Sequence, residues 1–338
     1  MDNSAQAQGS SEPIREVAVV GAGYMGGGIA RSLAGCGIRV RMCDASGDLA
    51  QAGRERILAE VGADVAAGLI GADTAQAVAA NLSSVDSLDE AVAGAQYVQE
   101  VVSESLPLKH RVLAQISAIA SEKVIIASNT SSIPVAQMVD AVRFPERFLI
   151  VHWSNPAHLV PGVEVIVGEH TGSALLAPIE QMLATAGRIC AVVGDTPGFV
   201  LNRLQYALVR EALLLVQEGH ASAEAVDTVL RTTLGFRMAF VPPLTMVDMA
   251  GMDVYAGAFS VLESSFGERF TTPAVLTEAV AAGRLGMKNG RGLWRDYPPE
   301  TLAAINAWRA KAYTAMSALL AELGPAPIPP NPPRKAIP

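Results

Sequence analysis

Over the first 195 positions, apolar residues fall into short, mostly β-branched runs separated by stretches with helical spacing. The runs at 16–20, 39–43, 97–100, 124–127, 148–152 and 164–167 read as buried strands. Strands alternating with helices imply a doubly wound α/β unit, a mainly parallel sheet covered on both faces. Residues 45–81 form a longer, alanine-rich interruption, read as a helical pair projecting from the sheet.

The pattern changes at Asp195-Thr196-Pro197-Gly198-Phe199, beyond which strand signals nearly vanish. Leu201, Leu204, Leu208 and Ala212 recur at helical spacing within 199–218, and Gly219 supplies a stop. Residues 221–234, 243–266 and 273–282 read as further helices. The expected organisation is a disordered lead over 1–13, an α/β domain over 14–195, and an all-helical domain over 196–323. A proline-rich tail follows over 324–338, where neither a helix nor a central strand can form.

Composition narrows the class. Half of the chain is hydrophobic and 17% is charged, which suits a well-filled core. The net charge of −8 comes without any Lys/Arg-rich block, so nothing here attracts nucleic acid or an anionic membrane surface. No apolar run is long and clean enough to span a bilayer, and the first residues lack the basic start and apolar core of a secretory signal. Cys36, Cys43 and Cys190 have the spacing of neither a disulfide framework nor a metal site. They read as buried free thiols in a reducing, cytoplasmic setting.

Chemistry enters with VVGAGYMGGGIA, which follows the first strand and opens a helix. Gly21, Gly23 and Gly26 carry the G-x-G-x-x-G spacing: a tight turn, a close approach to a pyrophosphate, and close packing of helix on strand. Amides at the helix N-terminus then face the phosphates. The second strand ends in Asp44, about twenty residues beyond the glycines, where an acid binds the ribose 2′-hydroxyl and repels a 2′-phosphate. The cofactor expected is NAD. Tyr24 and Met25 of the same loop join its contacts. Arg39 and Arg41, just before Asp44, are expected to face solvent.

Four further features fall where such a fold puts chemistry, outside the carboxyl ends of strands or at the opening of the helical region. They are Glu104 with Lys109, the run SNTSS at 128–132, HWSNPAHLVPGVEVIV at 152–167, and DTPGFVLNR at 195–203. Together these motifs resemble the 3-hydroxyacyl-CoA dehydrogenase family over residues 14–297. The resemblance implies a Rossmann-type NAD domain followed by a helical domain that binds substrate and builds a homodimer. It implies His152 as the catalytic base, Glu164 as its partner, and Asn202 and Ser131 as further catalytic residues. Ser131 also contacts substrate, with Asn155 and Ser154. Glu104, Lys109 and Asn129 are placed near the nicotinamide end of the cofactor. Ser131 also stands where it can cap a helix beginning near Ile133. Asp248 and Asp253 are expected to be structural.

The chemistry is coherent without the resemblance. Oxidising a secondary alcohol needs a base for the hydroxyl proton, and histidine is the side chain matched to neutral pH. A carboxylate on the other ring nitrogen fixes the tautomer and stabilises the imidazolium. The chain departs from the family in two places. Ser154 replaces an aromatic after Trp153, and residues 45–81 lack the lysines that hold CoA phosphates. The HWSNP form is similar to a family branch acting on small non-CoA substrates, a pyridine carboxaldehyde among them. The expected activity is therefore NAD-dependent oxidation of an L-3-hydroxyacyl compound, as CoA thioester or free 3-hydroxy acid. Oxidation of a small pyridine-type aldehyde is the enzymatic alternative. An NAD-binding structural protein without turnover is the alternative from another class.

Overall fold

A computed structural model describes residues 13–324, 326, 327 and 329. The lead expected over 1–13 lies outside the described residues except for Pro13, and most of the tail expected over 324–338 lies outside them too. The chain divides between Leu208 and Val209 into two compact units.

The first unit is built on eight strands: β1 (Glu16–Val20), β2 (Arg39–Cys43), β3 (Leu82–Ser84), β4 (Tyr97–Glu100), β5 (Ile125–Ser128), β6 (Phe148–Trp153), β7 (Gly162–Val167) and β8 (Ile189–Gly194). They form one sheet in the order β3-β2-β1-β4-β5-β6-β7-β8. Every neighbouring pair is parallel except β6 and β7. The segment between β6 and β7 is too short for a helical crossover, so the chain turns back on itself. The sheet is thus doubly wound and mainly parallel, as the sequence implies.

Alternation along the strands explains burial on both faces. Val17, Val19, Leu149 and Val151 enter one apolar layer, while Ala18, Val20, Phe148 and Ile150 enter the other. The helices α1 (Tyr24–Ala34), α2 (Gly47–Ala66), α3 (Ala72–Asn81), α4 (Leu88–Val92), α5 (Leu106–Ile119), α6 (Val135–Met138) and α7 (Leu176–Thr185) connect the strands. Residues 45–81 do form a helical pair, α2 and α3. The pair does not simply project, because α2 lays Ala50, Gly53, Ile57 and Val61 against the core at helical spacing. Burying Ile57 fully contributes about 1.5–3 kcal/mol. The Ser46 hydroxyl caps α2 by accepting from the Leu49 amide at 3.3 Å.

Two strands escaped the sequence reading. β3 is a three-residue edge strand, and β8 is an apolar run directly after α7, where periodicity does not separate a strand from a continuing helix. Two side-chain expectations also change. Arg39 is exposed and pairs with Glu16, but Arg41 is half-buried and donates to the Ala93 carbonyl. Of the cysteines only Cys43 is buried; Cys36 is exposed and Cys190 half-buried. Burial, with the charge of neighbouring Asp44, pushes the Cys43 thiol up to about 12, so it is inert at neutral pH.

Helix α8 (Leu201–Gln217) runs across the division between the units. The described elements beyond it are helical, with bridges only at Gly286, Arg291 and Asp296. The single helix expected over 243–266 breaks at Gly251, whose φ of 106° is left-handed, giving Pro243–Ala250 and Met252–Phe266. Asp248 is buried and accepts from the Leu293 amide and the Tyr297 hydroxyl, both at 2.7 Å. Asp253 pairs with Lys288.

Candidate active site

The strand order reverses between β1 and β4, and the loops after them open the nucleotide cradle. Gly21 has φ 119°, and a Cβ there would meet the Val101 carbonyl at 2.6 Å. A Cβ on Gly26 would sit 1.9 Å from the Gly21 carbonyl, so the helix approaches the loop as only glycine allows. Gly23 has open space around its missing Cβ, which leaves room for a diphosphate at the start of α1. Asp44 ends the cradle: its Oδ2 accepts from the Ala22 amide at 2.6 Å and its Oδ1 from the Ala45 amide at 2.7 Å. Arg56 on α2 donates to the Ala22 and Gly23 carbonyls at 3.0 and 3.1 Å and braces the loop from behind. A cavity of about 480 Å³ lies along Gly21, Gly23, Asp44 and Val101. These residues fit NAD.

A second network shapes the turn after β5. The Oε1 of Glu104 accepts from the Thr130 hydroxyl at 2.6 Å, the Ser131 amide at 3.1 Å, the Ser132 amide at 3.2 Å and the Ser132 hydroxyl at 3.0 Å. Burial alone would raise its carboxyl, but the Thr130 hydroxyl, Lys109 and the serines outweigh burial and hold it below the usual range. Lys109 is itself buried. Its ammonium donates to Glu100 at 2.9 and 3.2 Å and to the Val102 carbonyl at 3.1 Å, and lies 3.5 Å from Glu104.

The antiparallel step supplies the third element. His152 on β6 lies directly opposite Glu164 on β7 in the ladder. The ring Nδ1 is 2.9 Å from Glu164 Oε2, and the ring Nε2 is 3.2 Å from the Ser131 hydroxyl. Glu164 Oε1 accepts from the Val200 and Leu201 amides, at 3.0 and 2.9 Å, at the start of α8. Burial would raise this carboxyl too, but the His152 bond and then the two amides hold it below the usual range. Phe199 packs edge-on against the His152 ring, centroids 5.6 Å apart, and its own φ is 50°. Asn202 donates to the Ser131 carbonyl at 2.6 Å.

His152, Glu164, Ser131 and Asn202 are therefore brought together. Met25, Glu104, Asn129, Ser131 and Asn202 line one cavity of about 550 Å³. Gly21, Gly23 and Asp44 line the other, and Tyr24 stands exposed at the start of α1. Asn129 accepts from the Trp153 amide at 2.9 Å, tying the end of β5 to the end of β6. Three expectations change. Lys109, 1% exposed, supports Glu104 instead of offering a free contact. Ser154 and Asn155 do not line the cavity beside Ser131. The capping hydroxyl is that of Thr130, which accepts from the Ser132 and Ile133 amides, and not that of Ser131. Thr130 and Glu100 are residues the sequence reading missed. Glu100 is an acid closing a short strand, Tyr97-Val98-Gln99-Glu100, a signal that could have marked it.

A nucleotide cradle and an imidazole on the same edge of the sheet are the parts an NAD-dependent dehydrogenase needs, and the class is shown by the matches that follow. Residues 16–196 match the model of the 3-hydroxyacyl-CoA dehydrogenase NAD binding domain, and residues 198–296 match that of the family's C-terminal domain. The chain belongs to the 3-hydroxyacyl-CoA dehydrogenase family. It is 35% identical to 5-formyl-3-hydroxy-2-methylpyridine 4-carboxylate 5-dehydrogenase of Mesorhizobium japonicum, over 91% of this chain and 98% of that protein. It is 33% identical to a probable 3-hydroxybutyryl-CoA dehydrogenase of Bacillus subtilis, over 85% of this chain and 99% of the other. Among solved structures, a 3-hydroxyacyl-CoA dehydrogenase of Archaeoglobus fulgidus superposes with a TM-score of 0.75 at 30% identity, covering 91% of this chain and 99% of that one. No described helix is long and apolar enough to cross a membrane.

Proposed function

We propose that this dehydrogenase oxidises a small substrate not carried on CoA, a hydroxy acid or a hydrated aldehyde, with His152 as the base and Glu164 as its partner. The observation that carries the proposal is the relay from Glu164 through both ring nitrogens of His152 to the Ser131 hydroxyl, at 2.9 and 3.2 Å. Bound NAD supplies the hydride acceptor. His152 Nε2 takes the proton of the substrate hydroxyl, in the place where it meets the Ser131 hydroxyl in the free enzyme. Glu164, kept ionised by three hydrogen bonds, stabilises the imidazolium and holds the proton on Nδ1. Ser131 donates to the oxygen that becomes a carbonyl. Asn202 fixes the Ser131 backbone from α8. In reduction the same imidazolium returns the proton.

The helical pair α2–α3 supports a substrate without CoA. It holds no lysine, and both its arginines are engaged: Arg54 with the Leu82 carbonyl, Arg56 with the glycine loop and Glu60. Free cations for CoA phosphates are therefore missing among the described residues of this pair, where dense positive charge would be needed. The M. japonicum relative, named for a formyl pyridine carboxylate, supports the same reading. A catalytically idle NAD-binding protein is disfavoured by the complete relay.

Dimerisation through the helical unit belongs to the proposal, supported by Val254 and Val261, which stand 55% and 66% exposed on one helix. So does a reducing, cytoplasmic setting, supported by three unpaired cysteines. Light scattering of the purified protein tests the dimer. The substrate test is a parallel NADH-linked assay of 3-hydroxybutyryl-CoA, free 3-hydroxybutyrate and a pyridine carboxaldehyde. Turnover of the free acid or aldehyde with weak CoA activity is expected. Strong CoA activity alone returns the chain to the parent activity of its family.

A further inference from the structure

We infer that Arg203 is a carboxylate anchor, so that the substrate carries a free carboxylate held by the guanidinium while its hydroxyl or hydrated formyl group faces His152. The inference rests on the His152–Glu164 reading and adds the chemical class of the substrate.

Three observations carry it. First, Arg203 lines the same cavity as Ser131 and Asn202 and is the only cation among its lining residues. Its position is fixed by α8, where the neighbouring Asn202 is bonded to the Ser131 carbonyl and the Arg203 amide donates to the Gly198 carbonyl at 3.2 Å. Tyr206, three residues further along the helix, lines the cavity as well, so one face of α8 forms this wall.

Second, the exposed Arg203 guanidinium has no hydrogen bond and no ion pair among the described residues, whereas three arginines of the sheet unit outside this cavity are committed. Arg31 pairs with Asp64, Arg56 braces the glycine loop, and Arg188 holds the His158 and Val160 carbonyls. The one acid in the cavity wall, Glu104, is engaged through Oε1 by Thr130, Ser131 and Ser132, with its Oε2 3.5 Å from Lys109.

Third, the site suits a single carboxylate and not a phosphate chain. A planar guanidinium matches a carboxylate in two parallel hydrogen bonds. The amides that would enlarge the site for a phosphate, Val200 and Leu201, are taken by Glu164. No second cation lines the cavity.

The experiment compares wild type, Arg203→Gln and Arg203→Lys on paired probes: 3-hydroxybutyrate against its methyl ester, and a carboxylated pyridine carboxaldehyde against the uncarboxylated one. NADH binding, read by fluorescence titration, shows that each variant is folded with an intact cradle. The expected wild type prefers the acid of a pair. Arg203→Gln should raise KM for the acid by about 10–100-fold, the value of a charge-assisted pair, with a much smaller change in kcat. The acid-to-ester preference should collapse, and Arg203→Lys should restore part of it. Equal use of acid and ester by wild type, or an equal loss on both in Arg203→Gln, overturns the anchor. Turnover of 3-hydroxybutyryl-CoA alone also overturns it, yet leaves the base intact if His152→Ala abolishes that turnover. Persistent activity in His152→Ala instead defeats the reading on which the anchor rests.

Discussion

Two carboxylates converge on Ser131, Glu104 from its backbone and Glu164 through His152. Each is held below the usual carboxylate range by hydrogen bonds that outweigh burial. Their partners differ. Glu104 faces a lysine and four donors of one turn. Glu164 faces a histidine, the base of the proposed reaction, and two amides of α8. The first arrangement makes a static scaffold. The second is proposed to take up a proton on its imidazole and release it, its carboxylate held by the two amides. Similar hydrogen bonding is thus proposed to serve unequal roles, according to whether the partner is an ammonium or an imidazole.

The comparison can be broken by mutation. His152→Ala should reduce kcat by about 10²–10⁴-fold with NADH binding retained, the usual value of general-base catalysis; stopped-flow turnover and NADH fluorescence check it. Glu164→Gln keeps the shape but loses the charge that stabilises the imidazolium. A fall of about 10²-fold in kcat for oxidation is expected, with the acid limb of the pH–rate profile displaced to lower pH. Glu104→Gln should act through the placement of Ser131 and cost about tenfold in kcat/KM, without moving that limb. A larger loss in Glu104→Gln than in Glu164→Gln would reverse the assignment of scaffold and relay.

The smallest effect is on stability. A carboxylate whose folded pKa is depressed stabilises the fold above its unfolded pKa, and that contribution disappears as pH falls through the folded value. Both glutamates therefore predict a Tm that drops on the acid side of the ordinary carboxylate range. Each Gln variant should flatten that drop, measured by differential scanning calorimetry from neutral to acid pH. An unchanged acid limb in both variants would show that neither network contributes.

The sequence made part of this legible. Gly21, Gly23, Gly26 and Asp44 are readable because a turn, a close approach and a strand end each demand a residue type. His152 and Glu164 are named by their motif, but their meeting depends on a reversal of strand direction that the strand-by-strand alternation does not announce. The inward turn of Lys109 was hidden for a similar reason. Its partner Glu100 sits at the end of β4, and pairing between a helix and a strand leaves no periodic trace. The freedom of Arg203 is a property of what its neighbours bind, which no local pattern encodes.

The hairpin between β6 and β7 carries a consequence for how this protein can diverge. The spacing of the proposed acid–base pair is set by ladder register, His152 against Glu164. The intervening loop is gripped by Arg188 through two carbonyl oxygens, those of His158 and Val160. A grip on main chain ignores side-chain identity. Residues along the loop can therefore be exchanged while its path and the spacing of the pair are preserved, so a lineage can drift from one substrate to another without rebuilding its proton chemistry.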